Sequence, residues 1–306
     1  MYDGLSSPNI YNVKTMADYA SVLQLHPDAT IWAGGTFIMS RPNSYPSRKA
    51  NEEIIYLGEM SELKRTLRND RLLEYGAMVN LNYIVNSNRS VLPSLLEQDI
   101  LSIGSSLVTS RATIGGAICT SGLITSITGT LIALNANMEI RYAKKKRMHS
   151  KWVAIAHSLD KNGRISLPSK CLVTRVRIGL NNADIQRFFS IGSMIKNPDQ
   201  AVCVAFSSNW NQDILVSPRL AITFPLFGIC YSRDIDNILS SLRFPLDEEE
   251  YSSFESIIFS FINATFPSIS DLQRVRVKGI LEEIVNDLNN KTLTASLASR
   301  DTDTLS

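Results

Sequence analysis

The sequence is poor in the side chains that most often bind metals or attack substrates. It has only four cysteines and three histidines among 306 residues: Cys119, Cys171, Cys203, Cys230, His26, His149 and His157. The cysteines form no C-x-x-C pair, which excludes a zinc ribbon or an iron–sulfur loop within this chain. Their apolar neighbours predict buried, reduced thiols. The histidines form no recognisable catalytic arrangement, so we predict no catalytic side chain and no metal site.

Two further absences concern partners. The net charge is only +2, and the one concentrated basic run, residues 144–147, is typical of a solvated hairpin tip, which argues against nucleic-acid binding. No apolar run is long enough to cross a membrane, and no basic N-terminal region precedes one, so we expect a cytoplasmic chain without a membrane partner. The 44% hydrophobic and 20% charged residues are typical of a globular protein with two or three domains.

The chain does contain two similar glycine segments, residues 32–37 (WAGGTF) and 112–117 (ATIGGA). Glycine permits positive φ and close approach of a ligand, so that successive N–H groups can converge on an anion. Either segment alone equally predicts a tight strand connection. Their similarity favours a pair of turns that grip one pyrophosphate from both sides. No G-x-G-x-x-G opens a helix after the first strand, which disfavours a Rossmann domain.

Apolar periodicity predicts alternating helices and strands. Helices are predicted at 15–23, from Pro93, and at 124–136. The last of these carries Thr125, Ser126 and Thr128 in its first turn, and the positive end of its dipole would point toward the second glycine segment. Strands are predicted at 30–33, 51–57, 72–79, 138–142, 171–178, 201–206 and 218–223. We place a domain boundary at 181–184. A capping box at 270–273 begins the last helix, and the polar residues after Asn289 are expected to fray.

At this point an ordered set of short motifs resembles a known family. In sequence order the motifs are 33–36 (AGGT), 75–79 (YGAMV), 112–116 (ATIGG), 131–136 (LIALNA) and 269–274 (ISDLQR). The chain resembles, over nearly its whole length, the FAD-binding subunit of molybdenum hydroxylases such as xanthine dehydrogenase and carbon monoxide dehydrogenase.

The resemblance implies an α+β fold. The first domain, residues 1–182, would be a two-subdomain FAD-binding domain of the vanillyl-alcohol-oxidase/PCMH type. The second, residues 183–289, would resemble the C-terminal domain of the carbon monoxide dehydrogenase flavoprotein, with a small three-stranded antiparallel sheet and helices. Residues 290–306 would be a polar tail.

The resemblance also implies a set of cofactor-binding residues. Carried over residue by residue, these are Ala33, Gly34, Gly35, Thr36, Phe37, Ile38, Ile103, Thr113, Ile114, Gly115, Gly116, Ser126, Leu172 and Ser190. The two glycine segments would hold the FAD pyrophosphate and its neighbouring groups. Ile103 and Leu172 would pack against flavin or adenine, although both also suit an ordinary core.

Several positions depart from the family's usual residues. Phe37 and Ser126 replace aspartates, Ala117 replaces an asparagine, and Gly129 replaces a proline. Ser190 and Met194 occupy positions that are often basic. Loss of a charged contact costs about 1.5–3 kcal/mol, so weakened FAD binding is expected.

The implied function is electron transfer within a complex. Electrons would pass from [2Fe-2S] clusters of a small partner subunit through FAD to an acceptor such as NAD or oxygen, and a separate large subunit with molybdopterin would hydroxylate the substrate. The alternative is a degenerate flavin domain that binds FAD weakly or not at all and serves as a scaffold for assembly.

Overall fold

The computed structural model describes residues 8–40, 52–120, 122–144, 147–180 and 183–303. The strands are β1 (Asn9–Asn12), β2 (Thr30–Trp32), β3 (Glu53–Tyr56), β4 (Thr66–Arg68), β5 (Leu72–Gly76), β6 (Asn137–Lys144), β7 (Arg147–Ala154), β8 (Cys171–Gly179), β9 (Ile185–Ile191), β10 (Val202–Asn211), β11 (Ile214–Phe224) and β12 (Gly228–Cys230). The helices are α1 (Met16–Leu25), α2 (Thr36–Ser40), α3 (Leu81–Asn88), α4 (Ser94–Ser102), α5 (Ser106–Thr109), α6 (Ile114–Ile118), α7 (Ser126–Ala133), α8 (Arg233–Ser241), α9 (Glu248–Thr265) and α10 (Asp271–Asp303). Short 3₁₀ turns occupy Ser61–Lys64 and Ile155–Ser158.

The N-terminal part is a small parallel sheet in the order β1-β3-β2, covered by α1. Helix α1 begins with a capping box, in which the Thr15 hydroxyl accepts from the N–H of Asp18 and the Asp18 carboxylate accepts from the N–H of Thr15. Tyr19 is buried against Ile55 and its neighbours. The predicted helix and the strand at 30–33 are confirmed, and the strand predicted at 51–57 is β3, with residue 51 outside the described part.

The second part is an antiparallel sheet in the order β4-β5-β8-β6-β7, with α3, α4, α6 and α7 packed on one face. Strands β6 and β7 form a hairpin in which Lys144 pairs with Arg147, as predicted for the basic run, and its tip, 145–146, lies outside the described residues. The helix predicted at 124–136 is shorter, because Leu134 caps α7 and Asn135 adopts a φ of +54°.

The other face of this sheet carries an ion-pair ladder. Arg175 donates to Glu139 at 2.8 Å and to Glu74 at 2.6 Å, and the Arg177 guanidinium lies over the Trp152 ring, 4.0 Å from its centroid. Burial tends to raise the pKa of Glu139, but hydrogen bonds from Arg175 and Thr174 outweigh it and lower the pKa. The buried Glu139 carboxylate is therefore stabilised in its charged form by these hydrogen bonds.

The C-terminal part is an antiparallel sheet in the order β12-β11-β10-β9, packed against α8–α10. The expected three strands become four, because the short β12 pairs with the end of β11. The capping box of α10 is confirmed, since the Ser270 hydroxyl accepts from the N–H of Gln273 and the Gln273 side chain accepts from the N–H of Ser270. Helix α10 continues to Asp303, and fraying after Asn289 stays a prediction.

The C-terminal sheet lies directly on α4 and α7. The Ser207 hydroxyl donates to the carbonyl of Ala133 at 2.7 Å, and the Gln186 side chain accepts from the N–H of Leu95 at 3.0 Å. Residues 181–182, at the predicted domain boundary, lie outside the described part, and the division at that point stays a prediction.

The four cysteines are free thiols, but not all are buried. Cys203 and Cys230 are buried and Cys171 is half-buried, whereas Cys119 is exposed at the C-cap of α6. The expectation of burial is therefore wrong for Cys119, which lies at the end of the short helix α6. Within the described part of the chain, no helix is long and apolar enough to cross a membrane.

Candidate functional site

The two glycine segments meet in space. A Cβ added to Gly34 would overlap the carbonyl oxygen of Arg111 and lie 2.8 Å from its carbonyl carbon, so only glycine fits there. On the other side, a Cβ on Gly116 would lie 3.7 Å from that of Ala33. The sequence similarity of the segments therefore corresponds to a direct contact between them.

The first segment joins β2 to α2 and leaves its backbone donors available. Gly35 adopts a φ of +74°, and a Cβ there would lie 2.5 Å from Nε1 of Trp32. The N–H groups of Gly34, Gly35 and Thr36 have no hydrogen-bond acceptor among the described residues. Three successive unpaired N–H groups on a turn with positive φ can bind anionic oxygen atoms.

The second segment is built differently, because its backbone donors are bonded within the protein. Thr113 is the N-cap of α6, and its hydroxyl accepts from the N–H of Gly116 at 3.1 Å. The N–H of Gly115 donates to the carbonyl of Ala77 at 2.9 Å, and that of Ile114 donates to Val79 at 3.1 Å. Because these donors are already paired, the second segment offers fewer available N–H groups than the first, and a grip on one pyrophosphate from both sides stays a prediction. The second segment and Arg111 before it form the surface against which the first segment packs, at Gly34 and Ala33.

Ser126, the first residue of α7, lies in the core. It is 3% exposed, and its hydroxyl donates to Oδ1 of Asp99 on α4 at 2.5 Å. Asp99 is completely buried, and its Oδ2 has no hydrogen-bond partner in the described structure. Burial raises the pKa of Asp99 to about 7, although the nearby hydroxyls of Ser126 and Thr130 lower it. The contact of Ser126 with a cofactor stays a prediction.

A family model described as the FAD binding domain in molybdopterin dehydrogenase matches residues 6–180, more than half of the chain. The chain belongs to this family. The match ends at the last residues of the second sheet and includes both glycine segments. No curated protein sequence is significantly similar to the chain.

Solved structures confirm the fold over nearly the whole length. Quinoline 2-oxidoreductase from Pseudomonas putida 86 is 17% identical, with a TM-score of 0.70 over 94% of this chain and 98% of that one. Carbon monoxide dehydrogenase from Hydrogenophaga pseudoflava is 17% identical, with a TM-score of 0.67 over 95% and 97% of the two chains. The Oligotropha carboxidovorans enzyme is 16% identical, with a TM-score of 0.67 over 94% and 95%.

The remaining predicted cofactor-binding residues lie on four different elements. Ile103 is the C-cap of α4 and is half-buried against the core between the five-stranded sheet and its helices. Leu172, on β8, is buried in the core around α1, which favours the ordinary-core interpretation. Ser190 is exposed on β9, where its hydroxyl accepts from the thiol of Cys203 at 3.4 Å. Phe37 and Ile38 are half-buried on α2. Their cofactor contacts stay predictions.

Sequence reasoning missed two charged residues near this site. Asp99 was hidden in an apolar helix, although an acidic residue beside Leu96 and Ile100 is a signal of a buried polar contact. Arg111, next to the second glycine segment, is the only basic residue between Arg89 and Arg141. That isolation is visible in the sequence and could have identified it.

Proposed function

We propose that this chain binds FAD and transfers electrons as one subunit of a molybdopterin-dependent hydroxylase or dehydrogenase. The observation that carries the proposal is the contact of the two glycine segments at Gly34, beside three unpaired N–H groups, in a member of the FAD-binding family. An anionic pyrophosphate fits such donors, whereas a tight strand connection alone would not require them to stay unpaired.

The chain's own residues would hold and orient the cofactor. The N–H groups of Gly34, Gly35 and Thr36 would donate to pyrophosphate oxygens, and half-buried Ile103 would pack against an aromatic ring. Bound FAD would supply the redox chemistry, accepting electrons from [2Fe-2S] clusters of a small partner subunit and passing them to an acceptor such as NAD or oxygen. No side chain of this chain needs to act as an acid, base or nucleophile.

The proposed partners are separate chains. The four cysteines are scattered over β8, β10, β12 and the end of α6, so the [2Fe-2S] clusters would belong to a small subunit. Molybdopterin, and with it substrate hydroxylation, would belong to a large subunit. The fold is similar to that of molybdenum enzymes, and one of these structures is described as lacking the Mo-pyranopterin moiety of its molybdenum cofactor.

The first test is an absorption spectrum of the purified chain, followed by a titration with FAD. A visible flavin band that co-purifies, or that saturates at micromolar FAD, supports the proposal; such an affinity corresponds to about −8 kcal/mol. Absence of binding at about 100 times that concentration would favour the scaffold alternative instead.

Restoring the family's polar residues separates a weakened site from a lost one. Ala117→Asn is the simple variant. Ser126→Asp alone would place a second carboxyl beside buried Asp99, so the matched variant is the exchange Asp99→Ser with Ser126→Asp. A weakened site should gain FAD affinity from these changes, whereas a relic used as a scaffold should gain none.

A further inference from the structure

Arg111 is an isolated cation at the contact of the two glycine segments. No other lysine, arginine or histidine lies between Arg89 and Arg141 in the sequence. Its backbone carbonyl is the group that Gly34 packs against, and the carbonyl of the next residue, Ala112, accepts from the N–H of Leu81 at 2.9 Å. The backbone at Arg111 is therefore fixed against the first segment, while its side chain leaves from the point of contact.

The Arg111 side chain is exposed and unpaired. Its guanidinium has no ion pair, hydrogen bond or aromatic contact with any described residue. Some other arginines of the same domain do have partners: Arg89 pairs with Glu97 at 3.2 Å and Arg141 with Glu62 at 2.8 Å. An unpaired guanidinium on a fixed backbone is available to an anionic ligand.

The rest of the candidate site lacks positive charge. Every cofactor-binding residue predicted from the resemblance is uncharged, and the N–H groups of the second glycine segment are already used inside the protein. A pyrophosphate held by the N–H groups of Gly34–Thr36 would thus be anionic with no cation among those residues. An arginine suits such a ligand, because its planar fork matches phosphate oxygens.

We infer that the guanidinium of Arg111 pairs with the pyrophosphate of FAD and compensates for the polar contacts missing elsewhere in this chain. The inference rests on the proposed function, since it names a residue of the same site. It assigns Arg111 a binding role and no part in the chemistry of the flavin ring.

The test compares ligands that share or lack the pyrophosphate. Dissociation constants of FAD, ADP and riboflavin are measured for the wild type, Arg111→Gln and Arg111→Lys by flavin fluorescence and, for ADP, by competition. Arg71→Gln is the matched control, because Arg71 is an exposed arginine in the β4–β5 turn whose side chain has no described partner. Arg111→Gln should raise the dissociation constants of FAD and ADP by about five- to tenfold and leave that of riboflavin unchanged. Arg111→Lys should recover part of the loss.

The outcomes separate the two proposals. If the wild type does not bind FAD, the proposed function fails. If the wild type binds FAD, two results refute the role of Arg111. Either the dissociation constants of Arg111→Gln for FAD and ADP lie within twofold of the wild-type values, or the affinity for riboflavin falls by the same factor as that for FAD. Should Arg111→Gln fail to fold, the wild type still decides: its affinity for ADP must fall as salt rises from about 0.05 to 0.5 M, because salt screens an exposed ion pair. A salt-independent affinity would overturn the inference.

Discussion

Replacing Asp99 by asparagine tests whether the buried carboxyl between α4 and α7 is protonated in the folded protein. The side chain is 0% exposed, and its one hydrogen bond comes from the Ser126 hydroxyl at 2.5 Å. Its pKa is about 7 in the fold, against about 3.9 in an unfolded chain. Because the folded pKa is raised, the contribution of this group to stability is complete below about pH 4 and is lost as the pH rises to about 7.

The magnitude follows from the difference between the two pKa values. Each pH unit between them costs about 1.4 kcal/mol, so Asp99 lowers the free energy of unfolding by about 4 kcal/mol between pH 4 and pH 7. Asparagine keeps an oxygen that can accept from Ser126 but does not titrate. In urea denaturation from pH 4.5 to pH 8, Asp99→Asn should therefore gain stability relative to the wild type as the pH rises, with no further gain above about pH 7.5.

The titratable groups that face Asp99 are few, which makes the comparison clean. The side chains that face it from α7 are the hydroxyls of Ser126 and Thr130, which do not titrate, and the thiol of Cys203 approaches from β10 with its pKa raised by burial. Since Cys203 stays protonated across this range, it adds no slope of its own. A stability difference between variant and wild type that is the same at pH 4.5 and pH 8 would refute a protonated Asp99.

Three further substitutions test the packing around the site. Gly34→Ala places a methyl group on the backbone of Arg111 and should abolish FAD binding in the titration while lowering the melting temperature. Arg175→Met leaves Glu139 buried without its main partner and should cost about 3 kcal/mol in urea denaturation, an effect that vanishes if the ladder is solvated. Gly279→Ala, in α10 with no atom within 4 Å of the added methyl, should instead stabilise the protein by about 1 kcal/mol; a loss of stability would mean that this helix face is covered.

The regular elements with strong apolar patterns could be predicted from the sequence, and the polar or short ones could not. Strand β8 was identified because apolar and polar residues alternate along it, as in a half-buried strand. Strand β7, with its polar sequence RMHSKWVA, was missed because it is the edge strand, where pairing with β6 decides the structure more than apolar content does. The prediction of strand 72–79 ran past Gly76, where a Cβ would overlap the carbonyl of Leu63 and the chain turns away.

The candidate site shows the same division between local and distant information. Each glycine segment was recognised from its own residues, but the contact between Gly34 and Arg111 joins residues far apart in sequence, and no local pattern contains it. Likewise, the sequence showed that Ser126 stands where the family usually has an aspartate, but not that a carboxyl reaches the same place from α4. Local pattern therefore predicted which segments matter, while the pairing of their donors and charges depended on tertiary structure.

The unequal use of backbone donors explains how one site can keep its shape after losing several side-chain contacts. In the second glycine segment the N–H groups are bonded to Ala77, Val79 and Thr113, so its geometry is maintained by the sheet and its N-cap whether or not a ligand is present. The first segment is held by packing against that rigid support at Gly34, which leaves its own donors unpaired. The side chains at positions 117 and 126 can therefore change while the first glycine segment keeps its conformation, because neither of them fixes the backbone that would bind the phosphate groups.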